Sequence, residues 1–310
     1  MHELTTDRAY EVCRRVTSTH AKTFYAASHF IPSEKRNACY AVYAFCRYVD
    51  DIVDVAMEAG DVTREDAVRL VEQWRSEVGQ VYAGDREQGA HAPDMAHQDR
   101  AAVLLAWEDT LQTYHIPRHL PEELIEGVLM DTTITRFRTY AELEVYCYKV
   151  ASVVGLMTSE IFGYSSPDAL TYAVDLGIAM QLTNIIRDVK EDAVRGRIYL
   201  AQEDMERYGV SEDDVLGSRF TPNVRALIAE YIRRADVLYR RADTGIAMLE
   251  PSSMVTVLLM SRNYQKILRV VESMDYNVFS RRASIGMLQK LLAVPSAYLE
   301  ARRLRNAQLK

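Results

Sequence analysis

Two stripes of oxygen-bearing side chains stand out along this sequence. In "AVYAFCRYVDDIVDV" (41–55), Tyr43, Arg47, Asp50 and Asp54 follow at spacings of +4, +3 and +4, which puts them on one face of a helix. Asp50 and Asp54 are one turn apart, so both carboxylates can reach a shared cation; Asp51 is offset by about 100° and lies beside that face. A second segment, "QLTNIIRDVKEDAVRGRIYL" (181–200), repeats the pattern. Gln181, Asn184, Asp188 and Asp192 are spaced +3, +4 and +4 among Ile185, Ile186 and Val189. Oxygen donors without His or Cys suit hard cations, which favours Mg²⁺ or Mn²⁺ over zinc. Mg²⁺ held by few carboxylates completes its shell with water and substrate phosphate. One acid cluster alone reads equally well as a solvated helix face. Two, each sharing its stripe with an arginine or an amide, are harder to dismiss, because buried acids are costly unless a metal or another cation neutralises them.

Arg47 and Arg187 stand beside the acid pairs. After Asp192, "AVRGRIYL" gathers Arg195, Arg197 and Tyr199 around Gly196. Such a cationic turn can close over phosphate and exclude water, and it is also what a basic helix end with a glycine cap looks like.

The elements that must carry these stripes are helices. Apolar residues recur at three- and four-residue spacing almost throughout, which predicts helices over 6–18, 34–58, 63–83, 98–113, 121–130, 140–163, 167–193, 222–249, 252–275 and 284–307. The β-branched stretch "DTTITRFRTY" (131–140) reads as a helix break, and the polar "GDREQGAHAPDMAHQ" (84–98) as a surface excursion within one domain spanning 1–310. Scarce glycine (13) and proline (8) agree with an all-α fold. With 48% hydrophobic and 26% charged residues the chain has material for a large core, and a net charge of −7 argues against nucleic acid as a partner. Cys13, Cys39, Cys46 and Cys147 show no metal-ligand spacing and read as reduced thiols in a cytoplasmic setting. The N-terminus lacks the apolar run of a signal peptide, and no window approaches the roughly 18 uninterrupted apolar residues of a spanning helix.

With both stripes in view, the chain resembles the head-to-head prenyl synthases: squalene, dehydrosqualene and phytoene synthases, the bacterial phytoene branch above all. The likeness runs through "HAKTFYAASHFIPSEKRNACYAVYAFCRYVDDIVD" (20–54), "YCYKVASVVGLM" (146–157) and "QLTNIIRDVKEDAVRGRIYL" (181–200). It is weakest over 84–140 and after 285. The resemblance implies an all-α isoprenoid-synthase bundle around a central cavity, in which two allylic diphosphates bind with Mg²⁺.

It further implies that Asp50, Asp54, Asn184, Asp188 and Asp192 hold metal. His20, Lys22, Thr23, Arg47, Gln181, Asn184, Arg187, Arg197, Tyr199, Tyr264 and Arg281 are implied to contact diphosphate. Cationic intermediates on long hydrocarbon tails require apolar walls. Tyr43, Tyr146 and Tyr148 offer π faces to such a cation, and Tyr43 and Tyr148 join Asp50, Asp54, Asp188 and Asp192 as the catalytic candidates. Phe24, Ser28, Ala151 and Gly155 are tunnel candidates, although the small-residue stripe Ala151, Gly155, Ser159 equally lets helices approach closely. Ala21, Lys190 and Ala201 depart from the frequent Ser, Gly and Pro of the family pattern without removing a metal ligand.

The implied reaction is condensation of two geranylgeranyl diphosphates to phytoene through a cyclopropylcarbinyl diphosphate, as in carotenoid biosynthesis. Small residues at Ala26, Ala27 and Ser28 suggest room for the longer tail. The rival is a squalene, dehydrosqualene or presqualene diphosphate synthase using farnesyl diphosphate, with NADPH required only for squalene. A non-catalytic prenyl-lipid-binding helical protein is the remote alternative. The expected state is a monomer. The basic tail "YLEARRLRNAQLK" (298–310) reads first as a solvated terminal helix and, second, as a segment for peripheral contact with anionic lipid.

Overall fold

The computed structural model describes residues 4–58, 63–85 and 95–308, and the side chains of 54–58, with a few others, lie outside that description. Among the described residues the extended elements are all helical, and the β pairing is confined to two isolated bridges, Arg136 with Ile198 and Tyr164 with Leu249. The first half of the chain builds α1 (Thr6–His20), α2 (Lys22–Ala27), α3 (Ser33–Glu58), α4 (Arg64–Ala83), α5 (Met95–Thr113) and α6 (His119–Met130). Next come α7 (Tyr140–Cys147), α8 (Val153–Phe162) and α9 (Asp168–Val194), then the short α10 (Gln202–Tyr208) and α11 (Glu212–Leu216). The last four are α12 (Pro222–Ile246), α13 (Pro251–Ser273), α14 (Met287–Leu291) and α15 (Val294–Gln308).

Local chemistry sets most boundaries. Thr139 and Glu142 form a capping box at the start of α7, and Thr221 caps α12 ahead of Pro222. The helix expected at 140–163 is one rod interrupted by a π turn, Tyr148–Ser152, between α7 and α8. The helix expected at 284–307 is two: Gly286 starts α14, and Pro295 lies in the first turn of α15, where its missing N–H costs nothing. The short helices α2, α10 and α11 were below what periodicity can detect. The excursion expected at 84–98 begins at Gly84, whose φ of 72° ends α4, and mostly falls outside the described residues.

Helix α9 is the axis of the bundle, packed by α8, α12, α13 and the π turn. Its Ile178, Leu182, Ile186 and Val189 are buried on one face, while Asn184 and Asp188 lie on the other. Helix α3 is divided in the same way. Ala41, Phe45 and Val49 are buried, with Phe45 stacked on Trp107 at 4.7 Å between ring centres; Tyr43, Arg47 and Asp50 occupy the opposite side. The π turn is seated on α9 with backbone nearly in contact. A Cβ on Gly177 would stand 2.4 Å from Ser152 Cα, and Ser152 Oγ donates to Val174 O at 2.8 Å. By length and composition α9 is the one described helix able to cross a membrane, but half of its apolar window is buried inside the fold (50%), as the axis of a bundle must be.

Candidate active site

The second faces of α3 and α9 meet across a cavity of about 820 Å³. Its polar end is built from three places. Helix α3 contributes Tyr43, Arg47 and Asp50; α9 contributes Gln181, Asn184, Arg187 and Asp188; the α1–α2 junction contributes His20, Lys22, Thr23 and Phe24. Tyr264 of α13 lies on the same wall. The other end is apolar or small, with Ala151 and Gly155 from the π turn and α8, and Ala169, Ala173 and Leu176 from the first half of α9. From Asp188 back to Ala169 the wall follows about 28 Å of helix at 1.5 Å per residue.

Charges at the polar end are arranged as arginine–carboxylate pairs. Arg47 donates to Asp50 at 3.2 Å and forms a closer ion pair with Asp51. Arg187 grips its neighbour Asp188 with Nε at 2.8 Å and Nη2 at 2.5 Å. Arg282 adds a third bond to Asp188 at 2.7 Å. Burial raises the Asp188 carboxyl, but the bonds and charges of Arg187 and Arg282 outweigh it and hold the group below its ordinary range. Asp192, one turn on, is not held this way. Burial, then the neighbouring Asp188 charge, push its carboxyl up to about 7, although Arg195 and Arg197 pull it partly back. Burial likewise raises the phenols of Tyr43 and Tyr264.

The donor set fits a divalent cation. Asn184 donates its amide to Gln181 Oε1 at 3.2 Å, while its Oδ1 is buried on the cavity side of α9 without a partner. An orphaned buried carbonyl on the same helix stripe as Asp188 and Gln181 supplies the kind of oxygen donor a hard cation takes. Among the described residues no three His, Cys, Asp or Glu side chains already converge. The side chain of Asp54, expected to complete the first pair, lies outside the described residues.

The turn after Asp192 is tied to the 131–138 connection. Gly196 adopts φ 73°, a conformation that favours glycine, and its carbonyl accepts from Arg136 at 2.7 Å. Arg197 donates to the Asp131 carbonyl at 3.2 Å. The hydroxyls of Tyr199 and Tyr146 donate to the two Asp131 carboxylate oxygens at 2.9 and 3.0 Å. Asp192, Arg197 and Tyr199 thereby line a small void next to the main cavity rather than its wall.

Besides Asp192, Arg197, Tyr199 and Tyr146, three further expected residues are placed away from the cavity wall. Tyr148, at the first position of the π turn, turns to α6 and donates to Glu123 at 2.8 Å. Ser28 is wholly buried, its hydroxyl 2.8 Å from that of Tyr40. Arg281 is exposed, and its neighbour Arg282 enters the cavity instead. Besides Arg282, sequence reasoning missed Lys290, which reaches the cavity from α14 and whose ammonium is lowered by burial and by Lys22. Asp131 was missed too, its acid hidden in a stretch read only as a helix break.

A family model described as squalene/phytoene synthase matches residues 17–289. The chain is 38% identical over 307 residues to the 15-cis-phytoene synthase of Synechocystis sp., covering 95% of this chain and 86% of that one. It is 34% identical over 307 residues to the phytoene synthase of Arthrospira platensis, covering 95% and 94%. Among solved structures, a dehydrosqualene synthase in complex with ligand superposes with a TM-score of 0.84 at 25% identity, covering 96% of this chain and 98% of that one. The squalene synthase of Alicyclobacillus acidocaldarius follows at 0.76 and 28%, covering 87% and 95%.

Proposed function

Because the chain belongs to the squalene/phytoene synthase family, a family of prenyltransferases, we propose that it condenses two molecules of geranylgeranyl diphosphate head to head into phytoene. The observation that carries this reading is the cavity itself. It has arginines and acids from two facing helices at one end and, beyond them, about 17 Å of mainly apolar and small-residue wall along α9 from Met180 back to Ala169. Relatives named phytoene synthase, aligned over nearly the whole chain, support the longer substrate. The whole of 1–310 would then work as one domain.

The chemistry asked of the site is loss of diphosphate from an allylic carbon. The C1–O bond of one substrate breaks, and its electrons leave with the diphosphate. The 2,3-double bond of the second substrate attacks the resulting allylic cation, and loss of a proton closes a cyclopropylcarbinyl diphosphate. A second ionisation, rearrangement and proton loss give the linear hydrocarbon.

Asp50, Asp54, Asn184 and Asp188 would hold Mg²⁺, with Asp192 one helix turn from Asp188 in the adjoining void; the metal would supply stabilisation of the charge developing on the departing diphosphate. The protein's own cations share that work. Arg47, Arg187 and Arg282 already neutralise Asp50 and Asp188, and they are the groups a diphosphate would meet once those carboxylates turn to metal. Lys22, Lys290 and His20 complete the cationic side, and Tyr264 offers its phenol from α13. Arg197 and Tyr199 close the adjoining turn. Phe24 and Tyr43, with ring centres 6.3 Å apart, offer π faces to the cation. The apolar end, with Ala151 and Gly155, keeps water from quenching it.

The test is incubation of the purified protein with Mg²⁺ and either geranylgeranyl or farnesyl diphosphate, with and without NADPH, followed by hydrocarbon analysis. Phytoene from the C20 substrate without reductant is expected. A C30 hydrocarbon formed in preference would replace this reading with the farnesyl-based one, and no diphosphate release from either substrate would remove both.

A further inference from the structure

Of the eight large apolar side chains that stand in solvent among the described residues, Phe30, Val145, Val194 and Leu216 are scattered singly, and the other four fall in one segment, 288–299. Leu288 is 70% exposed, Leu292 67%, Tyr298 60% and Leu299 56%. Single exposed apolar residues need no explanation, but a group of this kind on a fold that leaves few other leucines exposed marks a contact surface.

The geometry of α14 ties this group to the cavity. Leu288 and Leu292 are four residues apart and share a face. Lys290 lies about 200° round from Leu288 and lines the cavity. Helix α14 thus stands at the rim, with its ammonium towards the diphosphate end and its leucines outward. Lys266 of α13 secures it through a 3.1 Å bond to the Gln289 carbonyl.

Helix α15 continues the division. Ala297 and Ala301 are buried, and Arg262 of α13 joins Glu300 at 3.3 Å and Asp243 at 2.8 Å, which fixes the inner face. The outer face carries Tyr298 and Leu299, then Arg302, Arg303 and Arg305, all exposed. None of these three arginines has an ion-pair partner among the described residues. An apolar row bordered by open guanidiniums complements an anionic bilayer. Leucine and tyrosine enter the headgroup boundary while arginines meet lipid phosphates. A second copy docked face to face would bring like charges together, so self-association fits the surface less well.

We infer that α14 and the outer face of α15 form a docking surface for an anionic lipid bilayer. Docked this way, the cavity rim lies at the membrane, where a hydrocarbon product can leave without crossing water. That consequence rests on the reaction proposed above; the docking does not.

The experiment is flotation of the full chain with vesicles of phosphatidylcholine plus phosphatidylglycerol, and with phosphatidylcholine alone. The wild type is expected to float with the anionic vesicles and to be released by salt. Leu288→Glu/Leu292→Glu and Arg302→Glu/Arg303→Glu should each lower partition about tenfold or more, with circular dichroism and melting unchanged because the positions are exposed. Absence of wild-type flotation, or variants that float as well as wild type, overturns the inference. A lipid-free dimer in sedimentation that the leucine variant abolishes also overturns it, in favour of a second copy. No substrate is used, so failure here is separate from failure of the hydrocarbon assay.

Discussion

Arg282 reaches Asp188 from the far end of the chain, its Nε 2.7 Å from Oδ1, while Arg281 next to it points into solvent. Asp188 therefore sits between two guanidiniums, one from its own helix and one supplied by the turn after α13. Charge-assisted hydrogen bonds of this kind are worth more than neutral ones, although Arg282's own exposure weakens its share. Arg282→Ala is expected to lower kcat/KM for prenyl diphosphate by about tenfold or more, mainly through KM. Arg281→Ala should stay close to wild type. Steady-state diphosphate release measures both, and equal losses at the two positions would contradict the assignment.

The facing carboxylates give a second expectation. Asp50→Ala and Asp188→Ala should each reduce turnover by at least about a hundredfold. Asp50 is 44% exposed in its side chain, so its replacement should leave the melting temperature nearly unchanged. A chelator should abolish wild-type activity, with Mg²⁺ restoring it. Activity that survives chelation would remove the metal from the proposal.

Asp192 predicts a pH effect in the metal-free protein. Its carboxyl is pushed up to about 7 from the usual 3.8. Between those values the folded state keeps a proton that the unfolded state has released, so stability from this group is lost as pH rises towards 7. Asp192→Asn carries no such penalty. Its melting temperature should exceed that of the wild type by more at about pH 8 than at about pH 5, and added Mg²⁺ should narrow the gap by favouring the ionised form. A gap that does not change with pH would mean that Asp192 titrates normally.

Substrate length should be set deep in the cavity and not at Ser28. Ser28 is wholly buried against Tyr40, so Ser28→Phe overpacks the core, a cost of about 1–3 kcal/mol, without shortening the tunnel. Ala173 is on the cavity wall, about 22 Å along α9 from Asp188. Ala173→Phe should cut kcat/KM for geranylgeranyl diphosphate by about tenfold and spare farnesyl diphosphate. Competition between the two substrates reads the shift directly.

The sequence made the long helices and the cavity-facing part of each acid stripe legible, because helix periodicity and stripe spacing are the same geometry; Asp54's side chain lies outside the described residues and Asp192 lines the adjoining void. Tyr43, Arg47 and Asp50 fell on one face for the same reason that Phe45 and Val49 fell on the other. Three things were hidden. The π turn breaks the 3.6-residue period without any proline or glycine to announce it, and Tyr148 was aimed at the cavity when its hydroxyl is satisfied by Glu123. Arg282 and Lys290 enter from irregular or very short elements, where spacing carries no information about direction. Asp131 acts through Tyr146 and Tyr199, partners distant in sequence, and a lone acid in a connection gives no local signal of that.

Gly177 has no side chain with which to do chemistry, yet a methyl group there would meet Ser152 Cα at 2.4 Å. In a saturation mutagenesis screen scored by activity, this position should be as intolerant as Asp188, since even alanine would force the π turn off α9 and disturb the cavity wall between them. Intolerance to substitution would single out both residues alike, and only the folded stability of the dead variants would separate the spacer from the ligand.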